Sequence, residues 1–213
     1  MRLVAKVQAV LMADSSKKAV SKAELEKGAF LYLGRYASSV ENLRRVLNQR
    51  LVRARIRHRP VPEVARKWVD EVVAVCVARG FVDDANYACM LARSDLRQGR
   101  SRWKIQARLR QKGVGGEDIA GALDHILEDF EDAQALDMAA ARVFAKRRRF
   151  GPFRTAAKEQ SRENREKMIR REIASFARAG FSYEIARRFV NAKKGQELEN
   201  DPEGRNFVLI RKS

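Results

Sequence analysis

One helical pattern returns three times along this chain, and that recurrence constrains the fold more than any other feature. Tyr32-Leu33-Gly34-Arg35, Met90-Leu91-Ala92-Arg93 and Val143-Phe144-Ala145-Lys146 hold the same place in three successive sections. A following helix in each section carries an i, i+4 apolar pair: Leu43/Leu47, Ile105/Leu109 and Ile169/Ile173. Gly80-Phe81 is echoed by Gly180-Phe181. The 213 residues hold only four prolines, and long runs of Ala, Leu, Arg, Lys and Glu place apolar side chains three and four apart, with no alternating strand pattern in competition. The expected fold is therefore all-α, an array of three three-helix units. A unit of roughly 50 residues hides too little of its own surface to stand alone, so neighbours stack end to end. The expected body is elongated, with a long face for a long partner.

Local signals place the helices. Ser21 followed by Glu24 forms a capping box that opens a helix through Leu25, Ala29, Leu33 and Tyr36. A second helix starts near Ser39 with Leu43, Leu47 and Leu51 on one stripe. Pro60 and Pro62 end it and start a third, with Val64, Trp68, Val72 and Val75 inward and Gly80 as the stop. Asp83-Asp84 caps the next helix, which bears Tyr87, Leu91 and Leu96. Gly99 breaks it, Ser101 caps a short helix with Ile105 and Leu109, and Gly113 closes that one. Glu117 begins a helix with Ile119, Leu123, Ile126 and Leu127, and another runs from Phe130 through Leu136, Ala140 and Phe144 into Lys146-Arg147-Arg148-Arg149. Two more follow, one ending at Gly180 and one carrying Ile185 and Phe189. The expected segments are an N-terminal extension over 1–20, repeats over 21–80, 81–129 and 130–195, and a C-terminal tail over 196–213. The third repeat includes a basic loop over 147–164, read as an arm that grips nucleic acid. The tail holds the apolar Phe207-Val208-Leu209-Ile210.

Charge is the second constraint. Lys plus Arg number 45 against 27 Asp plus Glu, a net +18, which predicts a polyanionic partner. With 45% hydrophobic residues the chain can still fold, which excludes a wholly disordered basic protein. Residues 42–59 carry seven arginines (44, 45, 50, 53, 55, 57 and 59) and no acid. Residues 97–112 again carry seven basic groups unopposed: Arg97, Arg100, Arg102, Lys104, Arg108, Arg110 and Lys112. Residues 142–171 hold twelve basic and three acidic side chains, whereas 114–137 has eight acids and no Lys or Arg. One such run is an ordinary solvated helix face. Recurrence on the second helix of every unit and the loop before it reads instead as a basic track that binds phosphates without regard to sequence. Its expected members are Arg44, Arg45, Arg97, Arg100, Arg102, Lys104, Arg108, Arg110, Lys112, Arg147, Arg148, Arg149, Arg170 and Arg171. Trp103, set among Arg100, Arg102 and Lys104, suits either base stacking or anchoring of its helix.

The middle section carries a specific signature. Gly80-Phe81-Val82-Asp83-Asp84-Ala85-Asn86-Tyr87-Ala88, then Arg97-Gln98-Gly99-Arg100-Ser101, then Ile105-Gln106-Ala107-Arg108-Leu109-Arg110-Gln111-Lys112-Gly113-Val114, resembles the core motif of the RecX regulatory proteins. The match is close over 80–124 and weaker over 21–192. The resemblance implies a bacterial cytoplasmic protein of tandem three-helix repeats. Such a protein binds the RecA recombinase, lodges in the groove of its filament on DNA, and restrains filament growth, ATP hydrolysis and strand exchange.

Other chemistries lack their residues. Two cysteines, Cys76 and Cys89, and two histidines, His58 and His125, are too few for a structural zinc site or a disulfide framework. Both cysteines read as small core residues. No phosphate-binding glycine loop, nucleophile elbow or triad is present, so an enzyme is not expected, nor is any cofactor or metal. Asp83-Asp84 reads as helix capping. Leu3 to Ala13 is interrupted by Lys6 and Gln8, which suits neither a membrane span nor a signal peptide. The expectation is a cytoplasmic monomer that contacts single- or double-stranded DNA weakly. A basic helix-turn-helix DNA-binding protein is the alternative.

Overall fold

The structure is a computed structural model and describes residues 18–154 and 162–192. Most of the expected N-terminal extension, the middle of the basic loop and the Phe207–Ile210 tail lie outside the described residues. Within them the chain forms nine α-helices, one 3-10 turn and no strand. In order these are α1 (Lys22–Leu33), α2 (Val40–Ile56), α3 (Ala65–Ala78), α4 (Asp84–Arg97), α5 (Arg102–Gln111), α6 (Gly116–Leu127), α7 (Ala133–Arg148), the turn Gly151–Phe153, α8 (Arg162–Arg178) and α9 (Tyr183–Asn191). No described helix is long and apolar enough to cross a membrane. By contacts, residues 18–87 with 112–114 form one compact unit, and residues 88–111 with the described part of 115–192 form a second.

The first unit packs α1, α2 and α3 around Leu25, Ala29, Leu43, Leu47, Leu51, Val69, Val72, Val73 and Cys76. Ser21 caps α1 by accepting from the Glu24 N–H at 3.3 Å. The Glu24 carboxylate does not close the capping box; both of its oxygens are held by the Arg59 guanidinium at 2.8 and 2.7 Å. α1 stops at Leu33, leaving Tyr36 exposed beyond it. The inward stripe of α3 differs from expectation. Ala65, Val69, Val72, Val73 and Cys76 are buried, whereas Val64 is exposed and Trp68 and Val75 are half-buried. A one-residue step rotates a helical stripe by about 100°. Here the small Ala65 and Cys76 fit against the neighbouring helices, while bulky Trp68 covers the edge of the core. α2 ends at Ile56, four residues before Pro60, and His58 follows at φ 55°.

The second unit centres on an aromatic cluster. Phe176, fully buried, lies 5.1 Å from Phe144, 5.7 Å from Phe181 and 5.9 Å from Phe189, centroid to centroid. The buried pair of α8 is Glu172 and Phe176, not Ile169 and Ile173, which are half-buried. Glu172 tolerates this position because Arg154 donates to its two oxygens at 2.8 and 2.6 Å, and the Gly151 N–H adds a third bond at 3.2 Å. The basic stretch 147–164 is not a loop throughout: Arg147 and Arg148 close α7, and Arg162, Glu163 and Asn164 open α8. Cys89 is half-buried, whereas Cys76 is fully enclosed, with its thiol pushed up by burial.

A shared device closes the N-terminus of α2 in the first unit and of α5 in the second. Ser39 accepts from the Asn42 N–H and donates to the Lys112 carbonyl; Ser101 accepts from the Lys104 N–H and donates to the Ala179 carbonyl at 2.8 Å. The next residue's N–H is taken by a carboxylate from later in the chain: Val40 by Asp84 at 2.8 Å, and Arg102 by Asp137 at 3.0 Å. Asp83 caps α4, accepting from the Asn86 N–H at 2.9 Å. Gly113 (φ +79°) and Gly180 (φ +84°) follow the two accepting carbonyls, and a Cβ on either would collide with the capped helix, at Glu41 and at Ser101 respectively. Gly180 is therefore the counterpart of Gly113, both ending a second helix. Gly80 ends a third helix, so its echo in Gly180 is one of turn geometry: Phe81 and Phe181 each donate to the carbonyl five residues back, at Cys76 and Phe176.

Candidate nucleic-acid interface

α5 is built from ten residues of which only Ile105 and Leu109 are buried. That i, i+4 pair fixes the inward face and sends the basic side chains outward or along the flanks. Several of them are engaged. Arg100 Nη1, at 2.9 Å, and Arg108 Nη1 both donate to Oδ1 of Asp95 on α4. Arg102 is held at both ends by Asp137, through its backbone N–H and through Nε at 3.1 Å. The apparent absence of acids over 97–112 is thus made up by Asp95 and Asp137 from elsewhere in the chain. Arg100, Arg102 and Arg108 are anchored arginines with partly exposed guanidiniums, and not the simple surface charges expected.

Four of the expected cations meet at one cleft. Arg100, Lys104, Arg147 and Arg148 line a recess of about 370 Å³ together with Gln98, Gly99, Phe144 and Ala179, and no carboxylate is among them. Three are positioned by specific contacts. Arg147 donates to the Gln98 carbonyl at 2.7 Å, the Arg148 guanidinium lies 5.7 Å from the Phe144 ring centroid, and Arg100 also reaches Gln98 Oε1 at 2.6 Å. Side chains held in this way lose less entropy when an anion arrives. Clustered guanidiniums and an ammonium without a carboxylate suit a phosphate or another oxyanion. Of the remaining expected residues in this unit, Arg97, Arg110, Arg149, Arg170 and Arg171 are exposed but do not line the cleft.

In the first unit, Arg44 is tied to Glu41 at 2.6 Å and Asp70 at 3.0 Å, which raise its affinity for its proton. Arg45 is exposed, and Lys112 is half-buried with its carbonyl serving Ser39. Arg50, Arg53, Arg57 and Arg59, not among the expected site residues, line a second recess of about 240 Å³ over Leu25, Leu51 and Ala54. Their signal was the same arginine run that includes Arg44 and Arg45. Among the described residues no three His, Cys, Asp or Glu side chains gather closely enough to hold a metal ion. His125 bridges Arg93, at 2.7 Å, and Glu128, at 3.1 Å.

These features define a class, the all-α helical-repeat proteins, here with a recess lined by cations. The family model described as "RecX, second three-helix domain" matches residues 83–123, the stretch running from the α4 cap into α6. The chain is 36% identical to the regulatory protein RecX of Myxococcus xanthus over 173 residues, 81% of this chain and 87% of that protein. It is 34% identical to that of Agrobacterium fabrum over 60% of this chain and 61% of the relative. A crystal structure of a regulatory protein RecX aligns with a TM-score of 0.50 at 19% identity, covering 88% of this chain and 78% of that one, and shows the same fold. The chain belongs to the RecX family of regulatory proteins.

Proposed function

We propose that this chain binds the RecA recombinase filament on DNA and restrains its growth, ATP hydrolysis and strand exchange, as a cytoplasmic monomer whose repeats contact successive protomers. The observation that carries the reading is the cleft lined by Arg100, Lys104, Arg147 and Arg148, with Arg100 resting on the buried Asp95 and no carboxylate in the lining itself, in a chain that belongs to a family of regulators. The cations reach DNA phosphates enclosed by the filament, and the repeats obstruct the protomer movements that accompany hydrolysis. DNA affinity in this reading is weak and tolerant of sequence, because phosphate contacts carry no sequence information. The helix-turn-helix alternative places base contacts on α5. It is the weaker reading because the basic charge is not confined to α5: Arg147 and Arg148 of α7 line the same cleft as Lys104. The test is the DNA-dependent ATPase rate of RecA with and without the full chain. The expected result is a fall in rate; an unchanged rate at several-fold molar excess over the filament overturns the proposal.

A further inference from the structure

We propose that the groove beside Trp103 is a stacking seat for one unpaired nucleobase, with the neighbouring cations receiving the phosphates on either side of it. This rests on the nucleic-acid contact of the proposed function and adds its preference, single strand over duplex.

Tryptophan normally hides most of its large apolar surface. Trp103 is 58% exposed, whereas Trp68 is half-buried. Its position is nevertheless fixed. It is the second residue of α5, whose N-terminus is pinned by Ser101 and Asp137. Gly180 presses against the indole so closely that an added Cβ would lie 2.9 Å from Cε3. A backbone wall with no side chain holds the ring without covering it. The groove in front measures about 640 Å³, and its walls include Leu123 and Phe181 for an aromatic ligand and the Gln106 amide for its polar edge; the one carboxylate in the lining, Asp137, is matched by Arg102 at 3.1 Å.

The charge around this ring favours nucleic acid over an apolar peptide. Lys104 Nζ lies 4.8 Å from the Trp103 ring centroid, and Lys104 also lines the cationic cleft with Arg100, Arg147 and Arg148. Trp103 and Lys104, adjacent in sequence, thus serve groove and cleft respectively, as do Gly180 and Ala179. An aromatic face beside an ammonium and guanidiniums is the arrangement by which single strands are held without regard to sequence. In a duplex the bases are already stacked on one another and cannot enter such a groove.

The chain has two tryptophans, so Trp68→Phe leaves Trp103 as the sole indole reporter. The 213-residue chain is titrated, without recombinase, with oligothymidylate and with a duplex of equal phosphate number. Saturable quenching by the single strand and little by the duplex is expected. Trp103→Ala and Trp103→Leu should each weaken single-strand binding roughly five- to a hundredfold, the worth of one stacked base, while duplex binding holds and Trp103→Phe recovers most of the loss. The Leu variant keeps apolar bulk, so the result stands even where the Ala variant unfolds. Equal losses on single strand and duplex, or no loss from a folded Leu variant, overturn the proposal. So does an emission that ignores oligothymidylate but responds to recombinase alone, since that assigns the groove to a protein. Because no recombinase enters the titration, quenching with an unaffected RecA ATPase would sink the filament reading and keep the stacking seat, and the reverse pair of results would do the opposite.

Discussion

Asp95 has no solvent exposure, and its two oxygens are treated unequally. Oδ1 receives both Arg100 and Arg108, while Oδ2 has no hydrogen-bond donor. Burial pushes its carboxyl up and the two guanidiniums pull it back, with burial the larger effect. Reversing both arginines to Glu would set two carboxylates against a buried one. The double variant is expected to cost about 3–5 kcal/mol in chemical denaturation, whereas Arg97→Glu or Arg110→Glu should shift stability by less than about 0.5 kcal/mol. Charge reversals meant to probe binding therefore belong at Lys104, Arg147 and Arg148, which line the cleft. Glu24 offers a pH test of opposite sign. The Arg59 fork holds its carboxyl below the usual range, so its contribution is present above the unfolded value and is lost as pH falls through the lowered one. Glu24→Gln should cost roughly 0.2–1 kcal/mol at neutral pH, the worth of an exposed pair. Urea midpoints of the variant and the parent should converge at acid pH.

At the scale of elements, the pinned N-termini of α2 and α5 make a paired prediction. Asp84→Ala and Asp137→Ala should each lower stability by about 1–2 kcal/mol, through the loss of a charge-assisted bond to a helix N-terminus. Gly113→Ala and Gly180→Ala should each cost more than about 1 kcal/mol, from positive φ and the collision behind it; thermal unfolding of the four variants checks both. Much of the helical layout was legible, because Ser21, Ser39, Ser101, Gly99 and Gly113 act on their own neighbours in sequence. The burial of Glu172 was not. Its partners Arg154 and Gly151 lie about twenty residues away, and the apolar spacing by itself points to Ile169 and Ile173, three residues early. Nothing local to Asp84 reveals that Val40, forty-four residues earlier, is its donor.

For the whole molecule, the basic runs and their recurrence could be read directly from the chain, but which cations are available to a ligand could not. Arg44, Arg100, Arg102 and Arg108 looked unopposed in sequence and are matched by Glu41, Asp70, Asp95 and Asp137. Arg147 and Arg148, by contrast, join Arg100 and Lys104 only because α7 and α5 fold together in the second unit. Neutralising six phosphates would give DNA binding a log–log salt slope of about −5. Titrations at several salt concentrations test this, and a slope near zero would contradict phosphate contact altogether.

The seals on α2 and α5 run one way only. Asp84 and Lys112 come from later in the chain than the helix they close, and so do Asp137 and Ala179. Trimming this protein from its C-terminus should therefore unpick it backwards, each excised triplet uncapping the one before, whereas an equal cut from the front would leave every downstream cap in place.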